Sequence, residues 1–152
     1  MQSNNKDLYF VAVKVFLEDG KGNFLITKDR FSCWDIPGGR LRPEDFDVEI
    51  IDVVVRKLGE ELGDEVVYYI HEPIVYMRHE RDEIIAHNET EKCRIFAIAY
   101  RATYKNGNIL LGENHVEYKW VSQQNFDAEK YFDGGWLKGV REYMEKIKKY
   151  MK

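Results

Sequence analysis

Cysteine is scarce in this chain, and long apolar runs are missing. Cys33 and Cys93 are the only two cysteines among 152 residues, which is too few for a disulfide framework. Cysteine usage of this kind is typical of a reducing compartment, so we expect a cytoplasmic protein. Without a long apolar run, we expect neither a membrane span nor a signal peptide.

The chain also has no internal repeat, no low-complexity segment and little net charge. The formal net charge is −4, which does not favour a nucleic-acid partner. Hydrophobic residues make up 44% and aromatic residues 14% of the sequence, and these fractions exclude a disordered chain. A chain of this length buries roughly 70% of its unfolded surface. We therefore expect residues 1–152 to form a single domain.

An amphipathic helix is predicted between the glycine pair Gly38-Gly39 and Gly63. Apolar residues recur there at spacings of three and four and define one buried stripe: Ile51, Val54, Val55, Leu58 and Leu62. The β-branched run from Val53 to Val55 lowers helix propensity, so a strand at this triplet stays open as an alternative. Gly63 is placed to end the helix as a C-terminal cap.

Two adjacent acids, Glu60 and Glu61, lie near the C-terminal end of this helix. They are about 100° apart around the helix axis, so both carboxylates can converge on one cation beside it. Carboxylate oxygens suit Mg²⁺ or Mn²⁺, which complete their coordination with water and phosphate oxygens. The upstream Gly38 and Gly39 allow close approach of a ligand, so this stretch predicts a site for a metal ion and phosphate.

The stretch from Trp34 to Gly63 resembles the signature box of the Nudix hydrolases. That box reads Gly, five residues, Glu, seven residues, then Arg-Glu-apolar-any-Glu-Glu-any-Gly-apolar. Arg56 to Gly63 matches its second half, and Trp34 to Gly39 matches the usual aromatic and Pro-Gly-Gly lead-in. Residues 11–28 and 117–121 are similar to the first hairpin and the closing strand of the family. The resemblance implies a Nudix-type α/β/α sandwich with a mixed β-sheet.

The resemblance also implies an activity, the metal-dependent hydrolysis of a diphosphate bond in a nucleoside diphosphate linked to another moiety. Water is the nucleophile, and Mg²⁺ or Mn²⁺ is the cofactor. Glu60 and Glu61 would hold the metal ion, and Arg56 would orient Glu60. The candidates for substrate binding are Gly38, Gly39, Arg40 and Lys57. Three residues before and within the closing strand are candidates to replace the missing acid: Glu113, His115 and Glu117. Glu113 is the preferred candidate for the general base.

Three departures from the family pattern concern this site. Gly39 and Arg56 are three residues further apart than the pattern allows, and we expect the extra length within residues 41–47. Val48 stands where the first Glu of the box belongs. Four nearby acids are left open as its substitute: Glu44, Asp45, Asp47 and Glu49. Lys57 stands where the Glu after the arginine belongs, so a cation replaces a carboxylate.

The lysine has two predicted consequences. Lys57 is four residues before Glu61, so we expect an ion pair between them when no metal is bound; an exposed pair is worth only about 0.3–0.5 kcal/mol. Repulsion between Lys57 and a bound cation grows as the dielectric falls, so we expect fewer or more weakly bound metal ions. Alternatively, the lysine binds a substrate phosphate directly.

The rest of the chain is predicted to form strands and turns, followed by two helices. The predicted strands cover residues 8–17, 24–27, 66–70, 74–77, 83–87, 94–104 and 117–121. We expect Ala97 and Ala99 to face a closely packed helix. Ser122 is predicted as the N-cap of a helix over residues 122–132. An amphipathic C-terminal helix is indicated by Trp136, Val140, Tyr143, Ile147 and Met151. Residues 1–7 are expected to fray.

Two other functions stay open at this point. The first is a Nudix-fold nucleotide-binding protein whose turnover is weak or lost because Lys57 replaces an acid. The second is an isomerase of isopentenyl diphosphate, which needs a cysteine and a glutamate beside the substrate; Cys33 and Cys93 lack that local context. We expect a small nucleotide-type substrate and no nucleic-acid or membrane partner, with a homodimer left open. The aromatic residues available to stack on a substrate are Phe31, Trp34 and Tyr76.

Overall fold

The computed structural model describes residues 5–84 and 86–150. Seven strands and two helices make up this part, in the order β1 (Phe10–Glu18), β2 (Asn23–Asp29), β3 (Trp34–Asp35), β4 (Gly38–Arg40), α1 (Ile50–Leu62), β5 (Val67–Ile84), β6 (Thr90–Asn106), β7 (His115–Ser122) and α2 (Gly134–Tyr150). Short 3₁₀ turns lie at Pro43–Asp45, Ala86–Asn88 and Ala128–Lys130. Neither α1 nor α2, the two α-helices of the described residues, has the length and apolar character of a membrane span.

The seven strands of the described residues belong to one mixed sheet with β1 near its centre. β1 runs parallel to β6, from Phe10 opposite Ile95 to Glu18 opposite Thr103. β6 pairs antiparallel with β5, which lies at one edge. On its other side, β1 pairs antiparallel with β4 and meets β2 where Glu18 lies opposite Phe24. β2 continues the sheet to β3 and β7.

An apolar core lies on each face of the sheet. One core joins α1 to β1 and contains, among others, Val13, Leu17, Val53, Leu58 and Leu62. The other joins α2 to β6 and contains, among others, Ala97, Ala99, Val140, Tyr143 and Ile147. The predicted α/β/α sandwich with a mixed sheet is therefore confirmed. The expectation that the alanines of β6 face a helix is confirmed as well.

The helix α1 forms where it was predicted, but its buried stripe is different. Ile51 and Val55 are 44% and 46% exposed, whereas Val53 is buried. The buried residues of the helix are Val53, Val54, Lys57, Leu58 and Leu62. The face toward the sheet is therefore rotated around the axis relative to the predicted one, and it includes Lys57. Gly63 ends the helix with a φ of 86°, and its N–H donates to the carbonyl oxygen of Gly59 at 3.0 Å.

β5 is one continuous strand, so the prediction of two shorter strands in this stretch is wrong. A single strand runs from Val67 to Ile84, where shorter strands were predicted over 66–70 and 74–77. Its pairing register with β6 shifts on both sides of Pro73, and these irregularities accommodate the proline at the sheet edge. The predicted strand over 83–87 is confirmed only in part, because Glu83 and Ile84 end β5 whereas Ala86–Asn88 is a short turn; Ile85 lies outside the described residues.

The predicted helix over residues 122–132 is wrong as well. The hydroxyl of Ser122 accepts hydrogen bonds from the N–H groups of Gln124 and Asn125 at 3.2 and 3.0 Å, which makes a turn. Only the short segment Ala128–Lys130 is helical there. The predicted C-terminal helix is confirmed as α2, with Met151 outside the described residues. Of the segment expected to fray, residues 1–4 also lie outside them.

A glycine pair, Gly134 and Gly135, begins α2. Gly135 lies against the backbone of Arg78, where a Cβ would overlap a carbonyl oxygen. The buried His79 stacks on Trp136, with ring centroids 4.6 Å apart. Its Nδ1 accepts hydrogen bonds from the N–H groups of Gly135 and Trp136 at 3.1 and 3.4 Å. The imidazole thus caps the helix N-terminus, and burial lowers the pKa of His79, which keeps Nδ1 free of a proton.

Protonation of His79 should destabilise the fold. Its folded-state pKa lies below the unfolded value of about 6.5, so the folded protein binds fewer protons and stability falls as pH drops through 6.5. In urea unfolding, His79→Leu should cost about 1 kcal/mol at pH 8, as a lost helix cap does. It should also lose less stability than the wild type between pH 8 and pH 5. His71→Leu, on the exposed side of β5, is the control, and an unchanged pH dependence in His79→Leu would contradict the capping role.

Candidate active site

Gly38 and Gly39, the glycine pair at the start of β4, are called the glycine turn below. They lie directly against the C-terminal end of α1. Gly38 has a φ of 148°, and a Cβ there would overlap the carbonyl oxygen of Val13 on β1. A residue without a side chain is therefore required where β4 crosses β1. From this position the N–H of Gly38 donates a hydrogen bond to Oε2 of Glu61 at 3.0 Å. The contact joins residues 23 positions apart in the chain and anchors the acid at the turn.

Glu61 is a buried acid whose nearest ion-pair partner is a histidine. Its side chain is 18% exposed, and Oε1 lies 3.9 Å from Nε2 of His115. Burial raises the pKa of Glu61 to about 7, although Lys14 and the N–H of Gly38 favour the ionised form. Burial also lowers the pKa of His115. Because its pKa is about 7, Glu61 can take up or lose a proton near neutral pH.

A cleft of about 520 Å³ opens at this contact. Its lining residues come from the glycine turn, from α1 and from the loop before β7: Gly38, Gly39, Arg42, Lys57, Glu60, Glu61, Gly112, Glu113, Asn114 and His115. The structure thus brings together six of the predicted site residues. His115 was named with Glu113 and Glu117 as a candidate before β7, whereas Arg42 and Asn114 were not predicted as site residues.

Glu60 lies on the open side of this cleft. Its side chain is 41% exposed, and Oε2 accepts a hydrogen bond from Arg42 at 3.2 Å. Nε of Arg56 lies 3.5 Å from Oε1 of the same carboxylate. Two guanidinium groups therefore hold Glu60 from both sides, and its carboxylate is positioned at the mouth of the cleft.

Asp45 is the acid that pairs with Arg56. The two nitrogens of the guanidinium contact both carboxylate oxygens, and the contact through the second nitrogen measures 3.0 Å. The side chain of Asp45 is fully buried, and it also accepts a hydrogen bond from the backbone N–H of Arg42 at 2.7 Å. Arg56 holds the pKa of Asp45 well below its usual range. Of the four acids left open by the sequence, Glu44, Asp47 and Glu49 are exposed, so the structure favours Asp45.

Lys57 is buried beneath the glycine turn, and the predicted ion pair with Glu61 is absent from the described residues. Lys57 is 8% exposed, and its Nζ lies 3.2 Å from the point where a Cβ of Gly39 would stand. The reason is the rotation of α1, which turns Lys57 toward the sheet. Meanwhile the carboxylate of Glu61 is held by Gly38. Burial, followed by the neighbouring Arg42, lowers the pKa of Lys57.

The structure does not bring Arg40 to the cleft. Its guanidinium forms a two-pronged ion pair with Glu83 of β5, one contact of which measures 3.0 Å. The same group lies over the ring of Phe10 at 4.9 Å. Side chains alternate along β4, so the arginine that follows the glycines points away from α1. Arg42, two residues further on, is the arginine that lines the cleft.

The loop before β7 rests on the C-terminal end of α1. The N–H of Gly112 donates to the carbonyl oxygen of Glu61 at 3.0 Å, and a Cβ at Gly112 would overlap the carbonyl oxygen of Glu60. This close approach places the exposed Glu113 in the lining of the cleft. Glu117 lies on β7 opposite Lys28 and is not among the lining residues.

The donor set suits a divalent ion that is bound together with a phosphate. Within residues 5–84 and 86–150, no three His, Cys, Asp or Glu side chains stand close enough to hold a metal ion by themselves. Glu60 and Glu61 do line one cleft, and burial leaves Glu61 with a raised pKa that a cation would lower. Mg²⁺ usually binds through one or two carboxylates plus substrate phosphates. Two acids therefore fit such an ion.

A second cleft lies beside the first, since its lining residue Asp29 on β2 is opposite His115 of the first cleft on β7. It measures about 820 Å³, and its lining includes Trp34, Asp35, Tyr131 and Trp136. Nζ of Lys14 contacts both carboxylate oxygens of Asp35 at 2.9 Å and lies 5.1 Å from the ring centre of Trp136. Lys14 and Asp35 also affect the ionisation of Glu61, so both lie near the first cleft.

The predicted aromatic and cysteine residues are divided among several places. Trp34 lines the second cleft, Phe31 is largely exposed, and Tyr76 lies on the outer side of β5 beside Phe96. Cys33 is exposed and Cys93 is buried, and neither lines the first cleft. A cysteine and glutamate pair across this site is therefore not available among the described residues.

The fold and the site define an α/β protein with a pair of helix-end acids against a glycine turn. Residues 8–138 match the NUDIX domain family. The match covers most of the chain, and the chain belongs to this family, that of the Nudix hydrolases. No curated protein sequence matches the chain.

Several solved structures have a similar fold. A MutT protein from Methanosarcina mazei Go1 is 23% identical, with a TM-score of 0.65 and 99% coverage of both chains. An ADP-ribose pyrophosphatase from Streptococcus suis 89-1591 is 13% identical, with a TM-score of 0.64 and 92% coverage of both chains. A UDP-X diphosphatase is 9% identical, with a TM-score of 0.59; the match covers 95% of this chain and 66% of that one. At these identities the likeness concerns the fold.

Loss of the charge on Asp45 should weaken the site without changing its lining. In Asp45→Asn, Arg56 loses its buried counter-charge, and Glu60 loses a fixed neighbour. We expect a clearly lower melting temperature and a turnover reduced about 10- to 100-fold, as for other supporting residues of metal sites. Asp47→Asn, an exposed acid two residues away, is the control and should match the wild type. Equal behaviour of the two variants would contradict the pairing with Arg56.

The raised pKa of Glu61 predicts a stability that falls with rising pH. The folded protein keeps the proton of Glu61 longer than the unfolded chain, so this stability is present below pH 4.5 and is lost as pH rises to about 7. In EDTA, Glu61→Gln should therefore gain stability over the wild type between pH 5 and pH 8, by on the order of 3 kcal/mol. Carboxyl carbon NMR of the metal-free protein checks the pKa directly. Titration near pH 4.5 would contradict the effect of burial.

Proposed function

We propose that the protein hydrolyses a diphosphate bond in a nucleoside diphosphate linked to another moiety, with Mg²⁺ or Mn²⁺ as cofactor. The observation that carries this proposal is the contact of Glu61 with the N–H of Gly38. It sets two acids and a glycine turn around one cleft that also contains Lys57 and Arg42. Acids for a cation beside cations for phosphate are what diphosphate cleavage requires.

Each residue of the cleft then has a role. Glu60 and Glu61 would hold the metal ion, which when bound polarises the phosphoryl oxygens and lowers the pKa of a coordinated water. Arg56 orients Glu60 from 3.5 Å and is itself fixed by Asp45. Glu113 is the candidate for the base, because it is exposed in the loop and lines the cleft. It would accept the proton of the attacking water as the water oxygen bonds to one phosphorus of the diphosphate. The bond from that phosphorus to the bridging oxygen breaks, and the second phosphate group leaves with the bridging oxygen.

The phosphates would lie over the glycine turn. Gly38 and Gly39 leave room for close approach, and the cations of Lys57 and Arg42 face the same cleft. Arg40 has no part in this proposal, because Glu83 holds its guanidinium elsewhere. Phosphate binding through a lysine and an arginine offsets the acids that a diphosphate would otherwise meet.

The second cleft is the proposed place for the rest of the substrate. Its lining residue Asp29 lies opposite His115 of the first cleft, and it carries the aromatic rings of Trp34, Tyr131 and Trp136. A nucleoside offers a base for such rings and hydroxyl groups for Asp35. The ADP-ribose pyrophosphatase and the UDP-X diphosphatase among the similar structures suggest substrates of this class. We propose a cytoplasmic enzyme of nucleotide metabolism, acting as a monomer or a homodimer.

A second candidate is a nucleotide-binding protein without turnover. It is favoured by Lys57, which stands where an acid of the metal cluster belongs, and by the lack of a three-acid cluster in the described part of the chain. The two candidates share the cleft and its ligand. They differ in whether the diphosphate bond of the ligand is cleaved.

A substrate panel separates the two candidates. Nucleoside triphosphates, ADP-ribose, nucleotide sugars and dinucleoside polyphosphates are incubated with the protein and Mg²⁺ or Mn²⁺, and the products are measured. We expect hydrolysis of a nucleoside diphosphate derivative, with a loss of about 100-fold or more in Glu60→Gln and in Glu61→Gln. Glu72→Gln, an exposed acid on β5, should keep full activity. Binding of nucleotides without any product would instead support the second candidate.

A further inference from the structure

Lys57 is a buried cation without an ion-pair partner among the described residues, although Glu60 and Asp45 favour its charged form from beyond ion-pair distance. It is 8% exposed, and in the described part of the chain its ammonium forms no ion pair or hydrogen bond. Its Cδ, Cε and Nζ all lie 3.2 to 3.3 Å from the point where a Cβ of Gly39 would stand. The side chain therefore extends beneath the glycine turn, and the residue contributes to the floor of the first cleft.

The acids nearest to Lys57 are engaged elsewhere. Glu61 accepts the hydrogen bond of Gly38 and faces His115. Glu60 is held by Arg42 and Arg56 at the mouth of the cleft. A buried ammonium without a partner is costly, and a ligand anion that enters the cleft would remove that cost.

We propose that the ammonium of Lys57 binds a phosphate oxygen of the substrate directly, so that the cleft holds a diphosphate without any divalent ion. The inference deepens the proposed function and rests on it for the identity of the ligand, a nucleoside diphosphate. A fixed cation on α1 then takes over the part of phosphate binding that a metal ion would otherwise perform. The divalent ion is left with the chemical step alone.

Binding and chemistry should therefore respond to different residues. Removing the cation at Lys57 weakens the binding of a diphosphate and raises KM. Removing the acid at Glu61 lowers kcat and leaves metal-free binding in place. A lysine that only filled space beneath Gly39 would produce neither pattern, since a neutral side chain of similar length would serve equally well.

The experiment is isothermal titration of ADP into the full chain in EDTA. We expect the wild type to bind, Lys57→Met to bind at least tenfold more weakly, and Lys57→Arg to keep most of the affinity. Lys138→Met, an exposed lysine of α2 away from this cleft, is the matched control and should bind as the wild type does. Circular dichroism and a thermal melt check that each variant is folded.

A charge reversal gives the converse result. Lys57→Glu should not bind ADP in EDTA, and its binding should return with Mg²⁺, because a carboxylate at this position adds a ligand for the ion. Inorganic pyrophosphate serves as a second probe that lacks the nucleoside. It should show the same dependence on Lys57 as ADP does.

Two results would overturn the inference. One is a wild type that binds ADP only when Mg²⁺ is present, which decides the matter even if Lys57→Met does not fold. The other is a folded Lys57→Met with unchanged affinity in EDTA. Lys57-dependent binding without hydrolysis of any substrate in the panel would contradict the proposed function and leave this inference standing. Hydrolysis of a substrate by a protein whose ADP binding in EDTA does not depend on Lys57 would support the proposed function and contradict this inference.

Discussion

The hydrogen bond from Gly38 to Glu61 is the interaction on which the site depends. It exists only because the backbone of β4 approaches β1 more closely than any side chain at residue 38 would allow. The same approach brings Gly39 over Lys57 on α1. The loop before β7 packs against the C-terminal end of α1, where Gly112 lies against the carbonyl oxygen of Glu60. Glycine is required at two of these contacts for a steric reason, and the acids follow from that packing.

The electrostatics of the cleft are unbalanced in a way that a ligand would correct. Burial raises the pKa of Glu61 and lowers the pKa of Lys57, so each charge is disfavoured in the empty site. The two groups face the same cleft and yet do not pair. A ligand that carries both a cation and an anion would favour the charged form of both, and a metal-bound diphosphate has that composition. Arg56, paired with the buried Asp45, supports this arrangement from outside.

Local spacing was enough to predict the helix and its acid pair, and the family resemblance implied the mixed sheet with helices on both faces. Local spacing failed where the structure is determined by packing between distant parts of the chain. The rotation of α1, which exposes Ile51 and buries Lys57, depends on how the helix meets β1, and no periodicity of the helix itself contains that information. The exclusion of Arg40 from the cleft follows from the strand character of β4, which lay outside the predicted strands, whereas Arg42 lies beyond the end of β4. The helix cap by His79 joins residues more than fifty positions apart and leaves no local pattern.

The position of the extra residues leaves the pairing of Asp45 with Arg56 intact. Asp45 follows Gly39 at the spacing that the box requires for its first acid, but it lies 11 residues before Arg56. The additional length therefore falls after Asp45, in the exposed stretch that leads into α1. The ion pair with Arg56 forms across it, so the insertion does not separate Asp45 from Arg56. The remaining difference from the family pattern inside the cleft is Lys57, and a change in how this protein binds phosphate and metal is therefore to be sought at that residue.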